Sequence, residues 1–308
     1  MAQSLPVIIN PASGARIAVL AELNRVFHNA GVRWSVEITH GMGDATDLAA
    51  QLAAQGASVV AVFGGDGTIS EVASGLAGTQ TALAILPGGT GNVLAFEFGI
   101  PRDLSRAARL IVLDHDIRIV DVGQVGQRKF LLRVGAGLEA HAIRQTTRKL
   151  KDQFGLFAYG IAGLQALVES RPVVYRMGLD GQNVEVKGIL CTVANASHFG
   201  VLPGLTLASP IDIADGLLDV IVLDRIDLQN TIALFSKNLH GPVSLGRLKH
   251  WQVRHAVIDS DPTQATQVDG DTLGTTPLSV RSLPGALRVI VPPHPGEGGR
   301  TATRRSMS

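Results

Sequence analysis

Short uninterrupted apolar runs mark the first third of the chain, and each ends in a polar turn. Val7-Ile8-Ile9 leads into Asn10-Pro11-Ala12-Ser13-Gly14. Ser58-Val59-Val60-Ala61-Val62-Phe63 leads into Gly64-Gly65-Asp66-Gly67-Thr68, and Ala82-Leu83-Ala84-Ile85-Leu86 into Pro87-Gly88-Gly89-Thr90-Gly91-Asn92. Runs without alternation predict strands buried on both faces. Helical spacing fills the gaps. Ile17, Leu20, Leu23 and Phe27 share one side of a helix closed by Gly31; Leu48 and Leu52 belong to a helix that starts at Gly43-Asp44 and ends at Gly56. A strand between them carries Trp34, Val36 and Ile38 on one face. Thr68 and Glu71 have capping-box spacing, which predicts a helix start where the glycine turn ends. A fourth helix runs from Val93 to Phe98, stopped by Gly99 and Pro101. This alternation with short links implies a parallel sheet with right-handed crossovers. The three polar turns then line its C-terminal edge, where open α/β folds bind ligands.

After Asp121 short strands and turns dominate. Strands are expected at Phe130 to Val134, Val173 to Leu179, Val184 to Val193, Leu218 to Leu223, His255 to Ser260 and Leu287 to Val291. Asp180-Gly181 and Asp269-Gly270-Asp271 are hairpin signals. Two helices interrupt the strands, one within Gln153 to Ser170 and one from the Asp227 cap through Leu228, Ile232, Phe235 and Leu239. The fold class is therefore α/β in two domains. Residues 1–125 form a parallel α/β layer, and 126–292 a β-rich domain with helical insertions. The tail 293–308 has no periodicity and is expected to be disordered.

Composition narrows the classes. With 308 residues, 45% hydrophobic and 17% charged, the chain has material for two sizeable cores. The formal net charge of +1 and the lack of a basic stripe with aromatics speak for no nucleic-acid partner. The single cysteine, Cys191, excludes an internal disulfide and reads as a small core residue. The N-terminus lacks the basic and apolar regions of a signal peptide. Val72 to Phe96 and Gly188 to Ile211 carry no Asp, Glu, Lys or Arg, but polar turns break both, so neither reads as a spanning helix.

The chemistry lies in the turns. Glycines let main-chain N–H groups approach a ligand, and a helix start behind such a turn suits phosphate. Asp66 would repel phosphate unless it handles a metal ion or an incoming hydroxyl, which points to phosphoryl transfer. Other nucleotide signatures are missing. No Gly-Lys dipeptide exists for a P-loop, and Gly89-Thr90-Gly91 is followed by Leu94 where a dinucleotide fingerprint needs glycine. Zinc spacing and the Gly-x-Ser-x-Gly elbow are also absent.

Taken in order, Asn10-Pro11-x-Ser13-Gly14, Gly64-Gly65-Asp66-Gly67-Thr68 with Glu71-Val72, Pro87 to Asn92, Ala208-Ser209-Pro210 through Asp215-Gly216-Leu217-Leu218-Asp219, and Asp269-Gly270-Asp271 resemble the diacylglycerol kinase catalytic family. Bacterial soluble lipid kinases and the sphingosine and ceramide kinases carry it; NAD kinases and 6-phosphofructokinases share the Gly-Gly-Asp-Gly loop. The resemblance extends to about Pro292. It implies an ATP site between two domains, the second a β-sandwich. Asn10, Pro11, Ala12, Ser13, Gly14, Thr39, Gly65, Asp66, Gly67, Thr68, Glu71 and Thr90 would line the nucleotide. Mg²⁺ would sit at Asp215, with the carbonyls of Asp212 and Leu217 as co-ligands. Asp271, Asp269 and Asp66 would form the catalytic centre. Two departures stand out: Asp271 replaces the family's Glu, and Val93 stands where many bacterial members have Asp.

Transfer to an alcohol needs aligned phosphates, charge neutralisation and an acceptor for the hydroxyl proton. Asp66 and Asp271 are the candidate bases, on opposite walls of one cleft. Arg16 reads either as a cation for the site or as a solvated helix-start residue. Asp215 reads equally as an ordinary turn aspartate. Phe154, Leu156, Phe157, Tyr159, Ile161, Leu164 and Leu167 read as core or as a surface for lipid, and the glycine- and proline-rich loop of His198-Phe199 and Leu202 as a flank of an acyl groove. The expected activity is ATP- and Mg²⁺-dependent phosphorylation of a lipid acceptor, diacylglycerol foremost, in the cytoplasm at the inner membrane face. A homodimer is compatible with this reading. The rivals are an NAD-kinase-like enzyme and a nucleotide-binding regulator without catalysis.

Overall fold

The structure, a computed structural model, describes residues 4–13, 18–137, 170–197, 211–226 and 246–293. Several expectations lie outside the described residues: Gly14, Arg16 and Ile17, the helices within 153–169 and 227–239, His198-Phe199, Leu202, Ala208 to Pro210, and the tail from 294. The chain forms two compact units. The first runs to Val120 and resumes at Ala286; the second spans Asp121–Gly285.

The first unit alternates β1 (Leu5–Ile9), α1 (Val19–Asn29), β2 (Trp34–Ile38), α2 (Asp44–Ala54), β3 (Val59–Gly64), α3 (Asp66–Leu76), β4 (Ala82–Pro87), α4 (Val93–Glu97) and α5 (Leu104–Val112). Its strands lie in the order β2-β1-β3-β4, all parallel, as the alternation predicts. The last strand of the chain, β16 (Leu278–Val291), adds Arg288 and Val289 alongside β4, also parallel. Val7, Ile8, Val60, Val62, Leu83 and Leu86 are fully buried, so the apolar runs are the core of this sheet.

Two apolar faces differ from expectation. On α1 the buried residues are Leu23, Val26 and Phe27, while Leu20 is 53% exposed in the first turn. Trp34 packs edge-on against Phe27 with ring centroids 5.5 Å apart, but Val36 and Ile38 are exposed because β2 is the outer strand. Helix α2 meets α3 through its small residues: Ala45 and Ala49 are buried, Leu48 and Leu52 half-buried. A Cβ on Gly75 of α3 would collide with the Thr46 carbonyl and lie 2.9 Å from the Ala49 Cβ.

The second unit continues from β5 (Asp116–Val125) through β6 (Arg128–Phe130), β7 (Arg133–Ala136), β8 (Val173–Leu179), β9 (Gln182–Gly188), β10 (Leu190–Ala194), β11 (Leu218–Ile226), β12 (Gly246–Val253), β13 (His255–Asp261), β14 (Ala265–Val268) and β15 (Asp271–Thr275). One antiparallel sheet has the order β12-β11-β10-β7-β14-β15. The other layer joins β16, β13, β8 and β9, with β5 beside β16 and β6. Val134, Tyr175, Met177, Cys191, Val193, Val220, Ile258 and Val280 form the shared core, making this unit a β-sandwich. Burial pushes the Cys191 thiol up to about 12, which makes it a packing residue rather than a nucleophile.

Both Asp-Gly hairpins are present. Asp180 and Gly181 have φ of 45° and 86°, Asp269 and Gly270 45° and 93°, the paired positive values of a type I′ turn. The single strand expected at Val184 to Val193 is instead β9 and β10, one in each layer. The chain changes layers at Gly188, where a Cβ would collide with Val222 and lie 2.8 Å from the Leu223 carbonyl; Ile189 N then donates to that carbonyl at 2.8 Å. The run Phe130 to Val134 likewise breaks at Leu131-Leu132. Among the described residues no helix is long and apolar enough to cross a membrane.

The Gly75 contact is testable. Gly75→Ala should destabilise the protein by about 1–3 kcal/mol through overpacking of α2 on α3. Urea unfolding measures it; a wild-type midpoint would mean that α2 moves aside freely.

Candidate functional site

The turns after β1, β3 and β4 interlock by main-chain contact. Asn10 N donates to Phe63 O at 3.1 Å, its Nδ2 to Thr68 Oγ1 at 2.9 Å, and its Oδ1 accepts from Ala12 N at 2.9 Å. Ser13 N closes the turn on Asn10 O at 3.0 Å. Thr39, buried at the end of β2, donates its N–H to Ile9 O at 3.1 Å.

Helix α3 starts at Asp66, three residues before the start that the capping-box spacing predicts. Extended Gly65 leads directly into it, and no side chain caps it. Thr68 is buried and accepts from Asn10 instead. Glu71 reaches the neighbouring loop, where Oε2 accepts from Gly43 N at 3.1 Å; its carbonyl accepts from Thr46 Oγ1 at 3.0 Å. Thr68 and Glu71 thus serve long-range contacts, and the capping box does not form.

The second glycine turn packs on the first. Gly88 N donates to Gly64 O at 2.9 Å, and a Cβ on Gly89 would lie 2.7 Å from Gly65 Cα. Asn92, at φ 51°, ties the turn internally: Oδ1 accepts from Gly89 N at 2.9 Å and Nδ2 donates to Gly89 O at 2.8 Å. Asp66 Oδ1 accepts from Leu94 N at 2.9 Å, so its carboxylate caps the short α4. Gly67 and Thr90 are exposed, and a Cβ on Gly67 would meet nothing within 4 Å. The first unit therefore brings together Asn10, Pro11, Ala12, Ser13, Thr39, Gly65 to Thr68, Glu71 and Thr90 along one sheet edge.

In the second unit Asp212, Asp215 and Leu217 share one tight loop. Asp212 Oδ1 accepts from Ala214 N at 3.1 Å, and Asp215 Oδ1 from Leu217 N at 2.9 Å. Gln252 Nε2 donates to Asp215 Oδ2 at 3.1 Å. Asp219, 1% exposed, pairs through Oδ1 with His250 Nε2 at 2.6 Å. Its Oδ2 is buried with no partner among the described residues. Burial raises the Asp219 pKa, the His250 bond opposes that rise, and the charge of Asp215 adds to it. Among the described residues no three His, Cys, Asp or Glu side chains gather as a metal cluster. The loop instead offers an exposed carboxylate, main-chain carbonyls and a nearby orphaned carboxylate oxygen. These hard oxygen donors suit Mg²⁺ with water completing its shell.

Asp269 is tied by main chain. Oδ2 accepts from Leu131 N at 3.1 Å, and Oδ1 from Leu132 N at 3.1 Å and Arg133 N at 2.9 Å. Those bonds impose the break between β6 and β7. Asp271 starts β15 one residue beyond the turn and is exposed.

Sequence reasoning passed over Asp121, which is 2% exposed. Its Oδ2 accepts from Gly216 N at 2.6 Å and its Oδ1 from Gly285 N at 2.7 Å. Its carbonyl accepts from Asn195 Nδ2 at 3.0 Å. The local signal was a lone carboxylate inside the apolar run Ile119 to Val122.

Comparison with known proteins agrees with this architecture. Residues 4–125 match the diacylglycerol kinase catalytic domain, and residues 132–291 the YegS C-terminal NAD kinase beta sandwich-like domain. The chain is 32% identical over 297 residues to a diacylglycerol kinase of Mycobacterium tuberculosis H37Rv, covering 93% of this chain and 94% of that protein. It is 31% identical over 248 residues to uncharacterized protein sll0036 of Synechocystis, and spans 56% of that protein's length. The crystal structure of a putative diacylglycerol kinase from Bacillus anthracis aligns with a TM-score of 0.78 at 25% identity, covering 94% of this chain and 96% of that one. An α/β unit with interlocked glycine turns, followed by this β-sandwich, defines a kinase. The chain belongs to the diacylglycerol kinase family of lipid kinases.

Asp121→Asn leaves one amide N–H facing the N–H of Gly216 or Gly285. It should destabilise the protein by about 1.5–3 kcal/mol. Denaturant unfolding checks this, and a loss below experimental error would make the two bonds incidental.

Proposed function

We propose that the protein transfers the γ-phosphoryl group of ATP, with Mg²⁺, to the hydroxyl of a lipid, converting diacylglycerol to phosphatidic acid. The observation that carries this reading is the interlocking of the turns after β1, β3 and β4 in a chain of this family, with Gly67 and Thr90 on the open side. Asn10 to Gly14, Gly65 to Thr68 and Thr90 contact the nucleotide. Thr39 and Glu71 hold the flanking loops in place. Asp215, with the carbonyls of Asp212 and Leu217, would hold Mg²⁺, which when bound offsets phosphate charge. Asp271 takes the proton of the acceptor hydroxyl as its oxygen attacks the γ-phosphorus and ADP leaves. Asp269 positions the turn that carries Asp271. Asp66 couples nucleotide, metal and acceptor. The acceptor chains stay in the bilayer, so the protein works from the cytoplasm at the inner membrane face.

The sandwich match, described after NAD kinase, favours a second reading in which NAD is the acceptor. Radiolabelled ATP offered with diacylglycerol, monoacylglycerol or a long-chain base in mixed micelles, and separately with NAD, decides between them. Label should enter an organic-extractable product with diacylglycerol as the best acceptor. Transfer to NAD alone would overturn the lipid assignment.

The carboxylate roles separate by kinetics. Asp271→Asn should lower kcat by roughly 10²-fold or more with the Kd for ATP nearly unchanged. Asp66→Asn keeps an oxygen for Leu94 N, so the fold should persist while turnover and Mg·ATP affinity both change. Wild-type kcat in Asp271→Asn, with turnover lost and ATP affinity normal in Asp66→Asn, would reverse the roles.

A further inference from the structure

A nucleotide brings several negative charges to turns that already hold the Asp66 carboxylate. The second glycine turn meanwhile spends much of its own donor capacity. Gly88 N is taken by Gly64 O, Gly89 N by Asn92 Oδ1, and Leu94 N by Asp66 Oδ1. A cation would offset the remaining charge, and among the described residues the cationic side chain bonded to this turn is Arg102. Gly99 ends α4 at φ 65°, Pro101 keeps the chain out of helix, and Arg102 folds back so that Nη2 donates to Gly91 O at 3.2 Å. That bond uses one of the five guanidinium N–H donors. Among the described residues no carboxylate pairs with Arg102. The adjacent Asp103 turns its carboxylate to Arg106 N at 2.8 Å, capping α5.

We propose that Arg102 is a phosphate-binding residue of the nucleotide site. Anchored on Gly91 O, one residue from exposed Thr90, it directs its free donors and its charge at the phosphates of the bound nucleotide. A planar, permanently charged fork suits that task better than the main-chain donors left in the turn. The proposal rests on the nucleotide reading given above.

Titration calorimetry on the full chain, with Mg·ATP and with adenosine, tests it without reference to turnover. Arg102→Gln keeps a donor for Gly91 O but loses the charge; Arg102→Lys keeps the charge. Arg102→Gln should weaken Mg·ATP binding by about tenfold or more and leave adenosine binding unchanged. Its ATP affinity should also depend less on salt than that of the wild type. Arg102→Lys should recover most of the loss. Wild-type ATP affinity in Arg102→Gln, or an equal loss for adenosine, would overturn the proposal and leave Arg102 as a brace for the turn. Denaturant unfolding of each variant identifies any loss caused by misfolding, and a misfolded Arg102→Gln leaves the decision to Arg102→Lys, whose ATP affinity must stay near wild type. A wild-type chain that binds no ATP would overturn the nucleotide reading itself, an outcome distinct from failure of Arg102 alone.

Discussion

The first unit's site depends on the close approach of two main-chain turns where neither residue has a Cβ. With Gly88 N on Gly64 O and a hypothetical Gly89 Cβ only 2.7 Å from Gly65 Cα, any side chain at Gly89 would drive the turns after β3 and β4 apart. Separation would take Asp66 away from Leu94 N and remove the cap of α4. Asn10, bonded to Thr68, adds the turn after β1 to the same assembly. Glycine here is a packing requirement before it is a ligand-binding one. Gly67 differs: an added Cβ there would meet nothing within 4 Å, so packing does not require its glycine.

The second unit uses aspartate for a different purpose. Asp121, Asp180 and Asp269 all accept main-chain N–H groups from other strands or loops. Asp180 holds Arg254 N and His255 N at 3.0 and 2.8 Å from the first hairpin turn, as Asp269 holds Leu131 to Arg133 from the second. Aligned main-chain dipoles stabilise each of these carboxylates. Asp215 and Asp271 are exposed on their own turns, and Asp215 likewise accepts a main-chain N–H, that of Leu217.

Local signals were legible in the sequence. The apolar runs of β1, β3 and β4, the two Asp-Gly hairpins and the Gly99-Pro101 stop all follow from patterns within a few residues. Features set by distant partners were not. Asp121 and Gly285 are 164 residues apart, and nothing near either residue names the other. Leu287 to Val291 reads as a strand, but its parallel place beside β4 is a tertiary fact. The sheet change at Gly188 looks locally like one continuous run. Thr68 and Glu71 had a plausible local use, yet Asn10 and Gly43 claimed them. Arg102 lacked any motif, because its relation to Gly91 exists only once α4 has turned the chain back.

Nucleotide binding by the interlocked turns of the first unit is read out by hydrogen–deuterium exchange of the full chain, with and without Mg·ATP. Protection should appear in the peptides covering Asn10 to Ser13, Gly64 to Thr68 and Gly88 to Asn92. Saturating Mg·ATP that leaves all three unprotected, while protecting other segments, would place the nucleotide elsewhere on the protein.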